Sequence, residues 1–275
     1  MKTLLKTPVS YYGGKQQLLP KILPCIPRHR IYSEPFFGGG SVFFAKEPAE
    51  IEMINDINSQ VVNFYKVAKR NFKKLKDEID VTLYSEEQYL QAKEIYHNAP
   101  DAEKDTVLRA WSLFVLSHQT FLHIIDNSWA FSRGKNVAVT FQNKKEMFDR
   151  RYVKRLERTQ IFCRDALRVI TNADAPETFH FVDPPYIDTN CGHYEGYTED
   201  DFKSLLNALE KVEGKFLLTT FSTEILDKYV DKNGWYQIKF EMHKSASGKA
   251  GEKKVEVFTM NYELPEEKIN SLRGC

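Results

Sequence analysis

Three consecutive glycines, Gly38, Gly39 and Gly40, separate two segments of opposite character. Before them, Arg30 to Phe37 (Arg-Ile-Tyr-Ser-Glu-Pro-Phe-Phe) reads as a short buried strand. After them, Ser41 to Lys46 reads as the start of a helix. Ile51 to Ile57 is apolar enough for the next strand, and a helix is expected from about Asn58. Strand, glycine turn, helix, strand is the βαβ unit of a doubly wound parallel sheet. Glycines at such a junction let the backbone approach a ligand, and the first turn of the helix offers free N–H groups. The plain alternative is a tight turn followed by an ordinary loop aspartate, Asp56.

The same alternation returns near the end of the chain. Thr178 to Val182 reads as a strand that runs into Asp183-Pro184-Pro185-Tyr186. Thr198 is a good N-cap, with Asp201 three residues on as a weak capping box. Phe202, Leu205, Leu206, Leu209 and Val212 share one helical face, and Gly214 is expected as the C-cap. Lys215 to Phe221 is a further buried strand. Trp235 to Met242 and Val255 to Tyr262 read as two strands joined by a glycine-rich basic linker, Lys244 to Lys254, with no crossover helix. Strands joined directly in this way pair antiparallel if adjacent. Between the two α/β parts, about Val67 to Arg158, the signals are helical; Arg109 to Leu116 is the most apolar stretch.

Composition excludes several classes. The 275 residues carry 42% hydrophobic and 28% charged side chains, the proportions of a globular protein with a sizeable core. No run approaches the length of a transmembrane helix, and Met1 to Tyr12 does not read as a signal peptide. The four cysteines (Cys25, Cys163, Cys191, Cys275) are scattered, which suits a reducing cytoplasm and fits neither a disulfide scaffold nor a structural metal. Neither G-x-G-x-x-G nor a P-loop occurs. A formal net charge of +1 argues, as an average, against a protein coated in positive charge. That average hides local runs. Lys66, Lys69, Arg70, Lys73, Lys74 and Lys76 occur with no acid among them, and Lys144 to Arg158 holds seven basic residues against three acidic. The first run reads better as a solvated helix face than as a groove reader.

Asp183-Pro184-Pro185-Tyr186 lies where open α/β sheets bind ligands, at the carboxyl end of a strand. Two prolines fix φ twice and remove two donors. The Asp183 carboxylate and the prolyl carbonyls then form a rigid array of acceptors beside the flat ring of Tyr186. Such an array suits a planar group bearing an –NH₂, such as a nucleobase edge. A proline-stiffened turn is the alternative.

Three blocks together resemble the DNA adenine-N6 methyltransferases of the Dam-like, alpha-ordered group. Ser10-Tyr-Tyr-Gly-Gly-Lys15 resembles the family's aromatic-x-Gly-Gly-Lys segment. Glu34-Pro35-Phe36-Phe37-Gly38-Gly39-Gly40-Ser41 resembles the methyl-donor loop. Asp183 to Tyr186 matches the catalytic block. Asn55 to Asn58 looks like the ribose-binding segment, and Gly192-His-Tyr194 begins a loop beyond the catalytic strand. The resemblance implies a Rossmann-like class I methyltransferase sheet with a terminal antiparallel hairpin. It implies a catalytic domain of residues 1–58 and 159–275 and an inserted, mostly helical target-recognition domain of residues 59–158.

It also implies roles. S-adenosyl-L-methionine would lie over the glycine turn, with Glu34 or nearby backbone at its methionyl end, Asp56 at its ribose hydroxyls and Phe37 packed against it. Asp165 matches the position that meets the cofactor's adenine; an N-cap for the following helix is an equal reading of it. Tyr11 and Lys15 would close over cofactor and base. Asp183 and Pro184 would accept from the amine of a flipped adenine, and Tyr186 would stack on it. The partner is double-stranded DNA. Arg133, Lys135 and Asn136 are candidate DNA contacts, with a solvated polar loop as the alternative. The best-known members carry an Asn-Gly-containing segment followed by an arginine where this chain has Ser117-His-Gln-Thr-Phe-Leu-His123, so recognition of GATC is not supported. The chain is expected to act as a monomer without a metal, and any restriction nuclease would be a separate protein. The same chemistry on an RNA adenine or a protein amide, or a non-catalytic nucleic-acid-binding relative, are the rival expectations.

Overall fold

The computed structural model describes residues 5–11, 13–98, 106–187, 197–241 and 255–273. The expected linker at 244–254 and the loop begun at Gly192 lie outside the described residues. Seven strands are present among those described: β1 (Ile31–Glu34), β2 (Ile51–Asn55), β3 (Thr159–Phe162), β4 (Thr178–Val182), β5 (Lys215–Phe221), β6 (Tyr236–Glu241) and β7 (Val255–Met260). They form one sheet in the order β3-β2-β1-β4-β5-β7-β6. The first five are parallel to one another, and β7 runs antiparallel to both β5 and β6. The fold is therefore the α/β sheet closed by an antiparallel hairpin that the sequence suggests. Strand order reverses between β1 and β4, which opens a crevice at their carboxyl ends.

The helices are α1 (Leu19–Cys25), α2 (Ser41–Ala45), α3 (Ser59–Arg70), α4 (Phe72–Val81), α5 (Glu86–Asn98), α6 (Thr106–Gln119), α7 (Val137–Met147), α8 (Arg150–Leu156), α9 (Ala166–Ala173), α10 (Glu199–Leu209), α11 (Glu224–Asn233) and α12 (Glu266–Arg273). None of the described helices is long and apolar enough to cross a membrane. Their starts follow local chemistry. Asn58 caps α3 by accepting from the Gln60 N–H at 2.9 Å. Thr198 and Asp201 form the full reciprocal capping box of α10. Phe202, Leu205, Leu206 and Leu209 then bury one face of α10 on Val182, Phe216 and Leu218 of β4 and β5. Full burial of each such side chain stabilises by about 1.5–3 kcal/mol.

Two boundaries differ from the sequence reading. Gly214 is not the C-cap of α10, which ends at Leu209 with Glu210 in that role, so Val212 lies beyond the helix. The glycine is needed for close approach instead: a Cβ there would stand 2.7 Å from the Thr178 carbonyl oxygen. Its N–H donates to Asp174 Oδ1 at 3.0 Å. The first strand stops at Glu34, because Phe37 turns its N–H back to the Asn55 carbonyl at 2.9 Å.

In the helical middle, α6 is the hub, packed against α3, α4 and α5. Its core is continuous with that of the sheet: Phe64, Phe114, Phe148 and Tyr152 belong to the same apolar cluster as Tyr32, Phe179 and Phe181. Where α8 returns the chain to the sheet, a buried ion network ties the two. Glu52 of β2 takes Lys46 Nζ at 2.6 Å and both terminal nitrogens of Arg155, one of which also donates to the Phe43 carbonyl at 2.9 Å. Burial alone would push the Glu52 carboxyl up, but the Arg155 hydrogen bonds and the Lys46 and Arg155 charges outweigh it and hold the group below its usual range. Its stabilising contribution is therefore complete above the ordinary carboxylate pKa and is lost as acid titrates the folded state. Arg155→Met leaves Glu52 and Lys46 buried around a missing partner. Urea unfolding of that variant should show a loss of about 3–5 kcal/mol at neutral pH, shrinking as pH falls.

Candidate active site

β1 and β4 are neighbours, so the glycine turn that leaves β1 and the Asp-Pro-Pro-Tyr run that leaves β4 open side by side. The turn is built on two left-handed glycines, Gly38 (φ +48°) and Gly40 (φ +67°). A Cβ at Gly40 would meet the Phe37 ring at 2.3 Å. Phe37 itself is buried beneath the turn, against Phe43, Phe44 and Tyr65. Phe36 faces the other way and packs with the α10 cluster. Pro35 is buried, and its carbonyl accepts from the Asn55 amide at 2.9 Å. The same Asn55 side chain both donates to and accepts from the Arg164 backbone, at 3.0 and 3.1 Å. One side chain thus holds together the loops that follow β1, β2 and β3.

Asp56 closes the turn. Its Oδ2 accepts from the Gly38 N–H and its Oδ1 from the Asn58 N–H, both at 2.8 Å. Tyr11 lies across Gly38, whose Cβ, if present, would touch its ring at 3.4 Å. Thr7 Oγ1 bonds to the carbonyls of Gly39 and Val9. Ser41 is buried at the start of α2. Asp165 is exposed and caps α9 by accepting from the Arg168 N–H at 3.1 Å.

The segment that covers the turn is held from the helical middle. His118 of α6 sits 3.0 Å from the Pro8 carbonyl through Nε2 and 3.3 Å from Ser10 Oγ through Nδ1. Burial, with Lys144 nearby, pushes its pKa down to about 3. The ring is therefore neutral, with Nε2 donating to Pro8 and Nδ1 accepting from Ser10.

The side chains around Asp183 converge from several elements. Asp183 Oδ1 is 2.7 Å from Lys15 Nζ and accepts from Thr219 Oγ1 of β5 at 2.8 Å. Lys15 Nζ also donates to the Gly13 carbonyl at 3.0 Å and lies 4.9 Å from the centre of the Tyr186 ring. The Tyr186 hydroxyl donates to Glu256 Oε1 of β7 at 2.5 Å, and its ring meets Phe221 edge-on at 4.3 Å. Pro184 is buried and Pro185 half-buried. Sequence reading placed Lys15, Asp183 and Tyr186 here and missed Thr219, Phe221 and Glu256. A usable signal existed for Glu256, a single acid in the otherwise apolar-leaning run Val255 to Met260.

Glu34 ends β1, fully enclosed, and accepts from the Tyr32 hydroxyl at 2.6 Å. Burial, reinforced by the Asp183 charge and opposed by the Tyr32 hydrogen bond, pushes its carboxyl up to about 8.

Arg133, Lys135 and Asn136 stand apart from this cluster in sequence and element, on the exposed loop before α7; Asn136 caps that helix by accepting from the Val139 N–H. Beside them Phe121 and Phe131 are exposed, and Leu122 and His123 adopt left-handed backbone at φ +57° and +60°. Two successive non-glycine residues in that region cost about 1–3 kcal/mol each, which marks the turn as a place where conformation is held against its preference.

The model of the D12 class N6 adenine-specific DNA methyltransferases matches residues 11–244. The chain belongs to this family. It is 24% identical to the type II methyltransferase M1.LlaDCHI of Lactococcus lactis subsp. cremoris over 95% of this chain and 97% of that one. It is 29% identical to the type II methyltransferase M.MjaIII of Methanocaldococcus jannaschii over 70% of this chain and 74% of that one. The DNA N-6-adenine-methyltransferase of Escherichia phage P1 is 27% identical over 75% of this chain and 28% of its own length. A solved rRNA methylase from Streptococcus thermophilus overlays 90% of this chain and 93% of its own at a TM-score of 0.35 and 7% identity, so the fold assignment rests on the sheet order itself.

Two measurements test the geometry. Gly40→Ala combines a left-handed φ with a collision on the Phe37 ring, and thermal unfolding should show a loss of at least about 1–3 kcal/mol. Glu34 binds a proton in the folded state that an unfolded chain releases near the ordinary carboxyl value of 4.5, so its burial costs stability as pH rises from there through about 8. Glu34→Gln keeps an acceptor for Tyr32 and removes the charge. The variant should gain stability over the parent chain as pH rises through that window, and an unchanged difference from pH 5 to 9 would contradict the assignment.

Proposed function

We propose that this adenine-specific DNA methyltransferase uses S-adenosyl-L-methionine and acts on an adenine flipped out of duplex DNA. The observation that supports it best is the pairing of an acid-lined glycine turn with the Asp183 acceptor array at one switch point of the sheet. Asp56 closes the turn and Asp183 leaves the neighbouring strand, two acids that fit a cationic methyl donor; Gly38 and Gly40 leave backbone where a side chain would stand. When bound, S-adenosyl-L-methionine supplies an electrophilic methyl group on a sulfonium. Asp56 would meet the donor's ribose hydroxyls, Glu34 or the backbone beside it the methionyl end and Asp165 the donor's adenine, and Tyr11 would cover the turn.

An adenine amine is a poor nucleophile because its lone pair is conjugated with the ring, and it is out of reach inside the duplex. Asp183 and the Pro184 carbonyl accept its two hydrogens, which favours a more tetrahedral nitrogen. The same acceptors stabilise the positive charge that grows there as the methyl is transferred in line. Tyr186 stacks on the base, with Phe221 bracing its ring. Residues 59–158 serve as the target reader and residues 1–58 and 159–275 as the catalytic unit. The exposed loop bearing Arg133 and Lys135, beside Phe121 and Phe131, supplies phosphate and base contacts.

Asp183→Ala should abolish methyl transfer to DNA while calorimetry still detects donor binding; turnover near that of the parent chain would sink the assignment. Expression in cells that lack adenine methylation, followed by modified-base sequencing of a plasmid, should reveal N6-methyladenine in one short sequence context.

A further inference from the structure

Glu256 is a costly residue for its place. It lies in β7, opposite Phe221 of β5 and Phe240 of β6, and is 3% exposed. A buried carboxylate costs several kcal/mol unless charge and hydrogen bonds compensate it. Its polar neighbours include the Tyr186 hydroxyl at 2.5 Å and Lys15 Nζ at 3.9 Å. The hydroxyl alone does not explain a charge, because any neutral acceptor would satisfy it. The ammonium does.

Lys15 is buried at 6% exposure, with its Nζ on Asp183 Oδ1 at 2.7 Å. That oxygen also receives the Thr219 hydroxyl. An amine that must donate to Asp183 therefore meets an oxygen with two donors already on it. It also meets a cation whose charge opposes the positive charge that methylation builds on nitrogen. Moving Lys15 off Asp183 would free this oxygen as an acceptor and take the cation away from the reacting nitrogen. Glu256 is the other carboxylate within reach of Nζ, and a shift of about 1 Å would bring that contact to hydrogen-bond distance. The flexible lysine stem permits such a shift without backbone movement.

We propose that Glu256 is a positioning residue: it draws Lys15 away from Asp183 as the target amine enters, leaving Asp183 free to accept while the lysine charge stays paired. This rests on the reading of Asp183 as the acceptor for the amine. Through its bond to the Tyr186 hydroxyl, the same carboxylate fixes the ring on which the base would stack.

The test has a structural arm and a kinetic arm. In a crystal structure of the Asp183→Asn variant, Lys15 Nζ should move to within about 3.2 Å of the Glu256 carboxylate. Retention of its present distance from Glu256 would overturn the proposal without reference to any substrate. In kinetics on adenine-containing duplex DNA, Glu256→Gln should lower kcat by at least about tenfold and change the KM for the methyl donor by less than about twofold. In a Lys15→Met background the same substitution should cost less than about threefold, because the lysine it manages is gone. Tyr186→Phe, which removes only the hydroxyl, should cost less than Glu256→Gln, and Glu256→Asp should recover part of the loss. Equal penalties with and without Lys15, or an unchanged kcat in Glu256→Gln, would overturn the proposal. Absence of turnover by the parent chain on any DNA would instead strike the proposed function, and the crystallographic arm would still report where the lysine goes.

Discussion

The parallel pairing of β1 with β4 is the constraint on which the site depends. Ile31, Tyr32 and Ser33 lie beside Thr178, Phe179 and His180, residues more than a hundred positions later in the chain. Neighbouring strands stand about 4.8 Å apart, so whatever leaves their carboxyl ends is brought within side-chain reach. The glycine turn leaves one and Asp183 leaves the other. Thr219 and Phe221 arrive on the next strand, β5, and Glu256 on the one after, β7. Had β1 paired elsewhere, the same motifs would exist in the sequence with no common site.

Electrostatics follow from this placement. A net charge of +1 averages an insert with 18 Lys and Arg against 13 Asp and Glu over a remainder with 21 against 25. The crevice acids are not equivalent. Asp56 is fixed by two backbone N–H groups, as a carboxylate should be. Asp183 is held by an ammonium and a hydroxyl. Glu34 lies deeper, and burial drives its carboxyl up to about 8. With Glu256 they make four acidic side chains near one another, of which Asp183 and Glu256 share Lys15.

Much of this was legible in the sequence. Glycines and prolines mark the ends of β1 and β4 because their backbone chemistry is local, and Asn58 and Thr198 announce α3 and α10 for the same reason. What escaped reading depends on pairing at a distance. Gly214 looked like a helix cap, yet its role is set by the Thr178 carbonyl on another strand. Glu256 reaches Tyr186 only in the register that pairs it with Phe221. A slip of one residue would turn it to the other face of the sheet, and no local signal sets that register. The left-handed turn at Leu122 and His123 was equally silent, since neither residue is a glycine.

The helical insert is a separate unit by sequence texture, but its attachments run through the site. Arg155 returns it to β2 through Glu52, and its aromatic core continues into that of the sheet. His118 reaches further, to the segment that carries Tyr11 and Lys15. Because that ring is neutral and buried, it donates with one nitrogen and accepts with the other, and each bond fixes a different residue of the segment. Thr7 then binds the segment to Gly39. A displacement of α6 therefore cannot leave the glycine turn unaffected without breaking at least one buried hydrogen bond, and an unmet buried polar group costs about 1–3 kcal/mol. The division at residues 59 and 158 is one of composition, and mechanically the insert and the glycine turn belong to one hydrogen-bonded body.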